Sequence, residues 1–241
     1  MKGVILGICP EARIVDITHE CRAYDISEAA FTIAQAYRYF PPKTVHVVVV
    51  DPGVGTQRRP IVVEAARQVF VGPDNGVFAF ILLNEKHKVR AATNAKYFLQ
   101  TVSQTFHGRD VFAPLAARLA KGVAPARIGK AIDNYLRPQS LKPERTARRG
   151  WTGTVLKVDR FGNLITNFLA ADFQRALQGP CEMAVGLQRV NRLATNYEQF
   201  GPGELFLIVG SSGYVEVSAG QASAAKILGV AAGAPVELRI F

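Results

Sequence analysis

Over residues 1–136, short β-branched runs alternate with stretches whose apolar positions return every three or four residues, which predicts an α/β domain with a largely parallel sheet. The runs at 4–8 and 13–17 read as strands. From Asp25 the period changes: Ile26, Ala29, Ala30, Ile33, Ala34 and Tyr37 mark one helical face, Asp25 and Glu28 resemble a capping box, and Pro41 and Pro42 stop the helix. Residues 44–50 form a continuous apolar strand that leads into the glycine-rich loop 51–56 and a second β-rich run at 61–64. A loop at the carboxyl end of a strand in such a sheet is where ligands collect, so chemistry is sought there first. Asp74-Asn75-Gly76 marks a turn, and 110–120 reads as a helix behind His107 and Gly108.

Residues 137–150 hold two prolines and a run of basic side chains, and read as a linker. Beyond it, 151–241 changes to short strands with frequent turns, at 153–158, 164–167, 204–209, 214–217 and 236–240, which predicts a small all-β, barrel-like C-terminal domain.

Composition narrows the function classes. With 49% hydrophobic and 20% charged residues the chain is that of a folded protein, and no apolar run approaches the roughly 20 residues that span a bilayer. Glu11, Arg13 and Asp16 follow the first apolar stretch at once, so the N-terminus reads as a strand and not a signal peptide. Cys9, Cys21 and Cys181 are odd in number and lack Cys-x-x-Cys spacing, which argues against a disulfide framework or structural zinc and suits a reducing cytoplasm. The net charge of +10 favours polyanions in general, but no nucleic-acid motif accompanies it, so nucleic acid is not an expected partner.

Four segments could carry chemistry. In VVVVDPGVGTQRR, Asp51 ends a buried strand and Arg58 and Arg59 follow a flexible loop; the plainer reading is a strand-turn-strand with a capping carboxylate, and the Lys-Ser/Thr of a phosphate-binding loop is missing. In TFHGRD, His107 precedes a glycine and a helix start, so its imidazole could face a cleft, whereas His19, His46 and His87 read as structural. DRFGNLITN, 159–167, combines a carboxylate, an aromatic ring and two amides, suited to a ligand with a ring and an ammonium group, or equally to an Asx-type turn. GSSGY, 210–214, is a small-residue turn able to offer hydroxyls and amides to a carboxylate.

Taken together and in order, VDPGVGTQRR, GPDNG, TFHGRDVFAP, DRFGNLITN and GSSGYVEV closely resemble the S-adenosylmethionine hydroxide adenosyltransferases, relatives of the fluorinases and chlorinases, with a match running from Met1 to Phe241. The resemblance implies an N-terminal α/β domain and a C-terminal barrel-like domain, a homotrimer with substrate held between subunits, and hydrolysis of S-adenosylmethionine to adenosine and methionine with no other cofactor and no metal. It implies that Asp51, Arg58 and His107 surround the nucleophilic water. It further implies that Phe161 and Asn163 hold the adenine, that Asp159 and Ser211 address the ammonium and carboxylate of the methionine, that Tyr197 stacks on adenine, and that Tyr24 and Phe106 complete the substrate set. Halogenating relatives carry tyrosine at the position of Asp51, and fluorinases carry serine at that of Gly108, so this chain has the hydrolase pattern.

One departure bears on activity. Relatives usually begin with a further strand bearing a Thr-Asp-Phe-Gly-like segment, whose aspartate binds the ribose hydroxyls, ahead of the equivalent of Met1. Without that contact the alternative expectation is a weak or inactive protein that binds S-adenosylmethionine or adenosine.

Overall fold

The computed structural model describes residues 1–137 and 141–241, which divide into two compact units, Met1–Gln139 and Ser140–Phe241. Residues 138–140 of the expected linker lie outside the described residues.

The first unit is built on a five-stranded sheet of β1 (Val45–Val47), β2 (Pro60–Ala65), β3 (Gln68–Pro73), β4 (His87–Ala91) and β5 (Ala131–Ile132), in the order β1-β3-β2-β4-β5. Only β1 and β3 run parallel; every other pair is antiparallel, so the sheet is mixed and the expectation of a largely parallel one is corrected. The cause is local. Ala66 and Arg67, at φ 51° and 61°, form a two-residue turn whose left-handed conformation matches the twist of an antiparallel hairpin, and it folds β3 straight back on β2.

The apolar runs that suggested parallel strands reflect cover on both faces. Ile61 and Val63 enter one core with Phe70, Phe78 and Ile81, together with Ala29 and Ile33 of α2 (Ile26–Ala36); Val62 and Val71 enter another with Phe112, Leu115 and Leu119. At the start of α2, Asp25 accepts a hydrogen bond from the Glu28 amide at 2.8 Å, a cap that contributes about 1 kcal/mol.

Two expected strands are absent. Residues 4–8 lie in α1 (Lys2–Ile8), a helix packed on the later helix Ala113–Ala120; its less exposed positions, Val4, Ile5 and Ile8, follow helical spacing. Residues 13–17 form no strand, and Val15 and Ile17 are exposed. The strand expected over 44–50 stops at Val47 apart from one further bond, from the Val48 amide to the Val71 carbonyl at 3.0 Å. After the short α3 (Ala79–Asn84), the helix expected at 110–120 opens as a π-helical turn, Gly108–Phe112, that continues into α4 (Ala113–Ala120).

In the second unit β6 (Glu144–Ala147), within the segment expected as linker, pairs with the long β7 (Gly150–Val158). Then come β8 (Leu164–Leu169), β9 (Cys181–Val185), β10 (Gln188–Val190), β11 (Leu193–Ala194), β12 (Leu205–Val209), β13 (Tyr214–Ala219) and β14 (Pro235–Ile240). They follow the path β10-β9-β14-β7-β8-β13-β12-β11, antiparallel except for β11 with β12. The sheet curls: β10, at one end of the path, comes into contact with β12, next to the other end. Its concave side is filled by Leu164, Phe168, Met183, Leu207, Val215, Val217 and Leu238. No helix among the described residues is long and apolar enough to cross a membrane.

Candidate active site

The order β1-β3-β2 dictates how the glycine-rich loop runs. Leaving β1 and entering β2, residues 51–59 must arch over the end of β3, which lies between those strands. The arch is tight. The Val54 amide bonds back to the Asp51 carbonyl, and Gly55, at φ 79°, sits so close to Gln104 that a Cβ there would lie 2.3 Å from its carbonyl oxygen. Only glycine fits both the conformation and the approach.

This arch places Asp51 and Arg58 face to face. Arg58 Nε donates to Asp51 Oδ1 at 2.9 Å and Nη2 to Oδ2 at 2.5 Å, a bidentate pair whose side chains are only 5% (Asp51) and 8% (Arg58) exposed. Nη2 also reaches His107 Nδ1 at 2.7 Å, and the guanidinium lies over the Phe112 ring at 5.4 Å. His107 stands just ahead of the π-helical turn, a distortion common at functional sites.

Guanidinium has donors only, so Nδ1 of His107 must accept, and the proton of the neutral imidazole lies on Nε2. Burial first, and the positive charge of Arg58 second, hold the His107 pKa below its ordinary value, against the opposite pull of Asp51 and Asp110. Arg58 Nη1 is buried and has no hydrogen-bond partner among the described residues. Two N–H donors of a buried cation are thus left open beside a carboxylate and a neutral imidazole. Such a site would hold a water and favour its hydroxide form.

Of the other candidates in the first unit, Phe106 is 46% exposed beneath Arg109, and Tyr24 is 79% exposed at φ 68°. Those in the second unit form their own group. Asp159 Oδ1 accepts from the amides of Phe161 at 2.9 Å and Asn163 at 2.8 Å, and Oδ2 accepts from Asn163 Nδ2 at 2.9 Å, so this segment is an Asx-type turn that leaves Phe161 77% exposed and Asn163 buried. Tyr197 donates its hydroxyl to Glu216 Oε2 at 3.1 Å. Its pKa is pushed up to about 12, by burial first and by the charges of Glu216 and Asp159. Ser211 is exposed on the turn between β12 and β13, next to Gly210, which abuts the Glu216 carboxylate.

Sequence reasoning missed Glu216, a buried carboxylate inside a β-rich run, and it took Asp74 and Asn75 only as turn residues. His46 is, as expected, structural: it is buried, bonded to Gln68 at 2.9 Å and stacked on Phe70. His87 is likewise structural, half-buried in β4 and bonded to the Tyr135 hydroxyl at 2.8 Å.

Comparison with known proteins bears on this geometry. The family model for the SAM hydroxide adenosyltransferase N-terminal domain matches residues 1–129, and that for the C-terminal domain matches 153–237. The chain belongs to the SAM hydroxide adenosyltransferase family. Within that family it is 39% identical to the (R)-S-adenosyl-L-methionine hydrolase of Salinispora tropica, over 96% of this chain and 88% of that protein. It is 35% identical to the protein of the same name from Thermus thermophilus, over 99% and 92%. A fluorinase from an Actinoplanes species is more distant, at 28% over 73% and 68%. Among solved structures, an uncharacterized conserved protein from Thermotoga maritima superposes with a TM-score of 0.90 at 34% identity, covering 98% of this chain and 92% of that one.

Proposed function

We infer that this chain is an S-adenosylmethionine hydrolase, which converts S-adenosylmethionine and water into adenosine, methionine and a proton. The observation that carries the site assignment is the buried Arg58 with its open Nη1, bound by Asp51 and touching His107. The substrate is a sulfonium ion that leaves as a neutral thioether. The leaving group therefore needs no acid, and the chemical difficulty is to present an oxygen nucleophile in line behind the carbon–sulfur bond.

In this reading Arg58 Nη1 holds the water, and the fixed positive charge lowers the cost of its losing a proton. His107, whose Nδ1 is taken by Arg58, orients the water as a donor through Nε2. The proton passes to the Asp51 carboxylate as oxygen bonds to the ribose 5′ carbon and the carbon–sulfur electron pair moves onto sulfur. Because the substrate carries its own activated leaving group, no further cofactor is invoked. Asp159 and Ser211 are assigned to the methionine end, Phe161, Asn163 and Tyr197 to adenine, and Tyr24 and Phe106 to the same substrate; the support is the motif resemblance and their chemical types.

A binding protein without turnover is not favoured, since relatives named as hydrolases at 31–39% identity span nearly the whole chain. We also propose a homotrimer, on the family resemblance, and a cytoplasmic location, to which three cysteines without a disulfide are suited. Light scattering checks the first. The activity is tested by incubating the protein with S-adenosylmethionine and chloride and separating the products. Adenosine, lost in His107→Ala, supports the hydrolase; a 5′-chlorinated nucleoside would replace it with a halogenase, and no product would sink both.

A further inference from the structure

The turn that follows β3 has no role in the mechanism above, yet it touches both ends of the arch that carries Asp51 and Arg58. Because β3 lies between β1 and β2, its exit, at Asp74-Asn75-Gly76, emerges directly under that arch. At one end Asn75 Nδ2 donates to the Val50 carbonyl at 2.9 Å, while Asn75 Oδ1 accepts from the Val77 amide at 3.2 Å and fixes the amide group in place. Val50 immediately precedes Asp51, and the backbone bonds between β1 and its neighbour have ended at Val48.

At the other end Asp74 Oδ2 accepts from Arg59 Nη2 at 2.8 Å, and the Asp74 amide donates to the Arg59 carbonyl at 2.9 Å. Arg59 immediately follows Arg58. The Asp74 side chain is 7% exposed, and its other oxygen accepts from the Leu136 amide at 2.8 Å, so the carboxylate is fixed on both sides. Arg59 is held besides by Asn134, at 2.9 Å to its side-chain oxygen and 2.6 Å to its carbonyl.

We propose that Asp74 and Asn75 are positioning residues which clamp the two ends of the catalytic arch and so set the register between Asp51 and Arg58 that brings the guanidinium to His107. The physical need is clear. The arch is a loop with one glycine at positive φ and few bonds of its own, and a displacement of about 1 Å at a reacting group can cost about a hundredfold in rate. Arg58 must meet Asp51 and His107 at once, and only fixed loop ends keep both contacts short. Sequence position already separates the roles: of two adjacent arginines, Arg58 turns to the reaction and Arg59 to the clamp.

The inference rests on the hydrolase reading for its kinetic consequence but not for its structural one, so its test has two readouts. The full-length protein, Asn75→Ala and Asp74→Asn are compared by steady-state kinetics and by NMR titration of the His107 imidazole, which is faced by Arg58, Asp51 and Asp110. We expect each variant to lose about ten- to a hundredfold in kcat with little change in KM. The His107 midpoint should rise toward its ordinary value, because a loosened arch withdraws the Arg58 charge. Asn75→Ala removes two uncharged hydrogen bonds and no ion pair, and so provides the milder variant should Asp74→Asn prove unstable. Loss of thermal stability with kcat and the His107 midpoint both unchanged would overturn the clamp and leave the turn a purely structural element. If the wild-type protein fails to hydrolyse S-adenosylmethionine, the hydrolase reading falls, and the His107 titration alone decides the clamp.

Discussion

Replacing Asp51 by asparagine separates the two things this carboxylate is held to do. Its shape is kept, and one oxygen still accepts from Arg58 Nε, but an amide donor now faces Nη2, and a guanidinium with only 8% of its side chain exposed loses its counter-charge. Breaking a buried pair in this way costs about 3–5 kcal/mol. For a chain of this size that lowers the melting temperature by roughly 6–20 °C. The kinetic loss is separate. Without a proton acceptor the reaction forfeits about 10²–10⁴ in kcat, equivalent to about 2.7–5.4 kcal/mol, while KM stays close to wild type. Calorimetric unfolding gives the first quantity, and turnover measured well below the variant's melting transition gives the second. A folded Asp51→Asn protein whose kcat remained within about threefold of wild type would refute the assignment of the proton to Asp51.

Three further outcomes follow from the geometry. Burial and Arg58 lower the His107 pKa, so as pH falls through about 6.5 the unfolded chain takes up a proton that the folded one resists, and stability is lost until the folded pKa is passed. The stability advantage of wild type over His107→Gln should therefore shrink between about pH 7.5 and pH 5.5 in urea titrations, together with kcat/KM; a constant difference would contradict it. Gly55→Ala places a methyl group 2.3 Å from the Gln104 carbonyl at a positive φ, and should cost about 1–3 kcal/mol in denaturant unfolding as well as turnover; an unchanged midpoint would show that the arch yields freely. Burial, aided by the charge of Asp159 and opposed by the Tyr197 hydrogen bond, raises the Glu216 pKa, so this residue favours the folded state below the ordinary carboxyl range and loses that contribution as pH rises through the folded value. Glu216→Gln should accordingly raise the melting temperature near pH 7.5 and not near pH 4, and the reverse ordering would refute the burial argument.

The parts of this protein legible in its sequence are those fixed by local rules. Asp25 caps α2 where predicted, and the β-rich runs from Gly153 onward become strands. Asp51, Arg58 and His107, 56 positions apart at their extremes, are grouped only by the motif resemblance and not by any local rule, and in the structure they meet. What escaped depended on partners. Strand direction was misjudged because an apolar run such as Ile61–Val63 records cover on both faces and not orientation, and because the hairpin turn is Ala66-Arg67, residues that ordinarily avoid a left-handed conformation. Residues 4–8 looked like a strand by β-branching, but α1 is a helix packed on α4. Asp74 and Asn75 looked like ordinary turn formers because nothing in their own spacing says that the loop overhead ends at Val50 and Arg59. The short strands β9 to β11 escape the sequence pattern because polar residues fall within β9 and β10, β11 is only two residues long, and β9 turns only alternate side chains to the core.

The central claim is that water, held by Arg58 and deprotonated at Asp51, attacks the ribose 5′ carbon of S-adenosylmethionine. It is tested most directly by running the reaction in ¹⁸O-labelled water and analysing both products by mass spectrometry. The account predicts one labelled oxygen in the 5′ hydroxyl of adenosine and none in methionine. Unlabelled adenosine, or label carried by the methionine fragment, would contradict it.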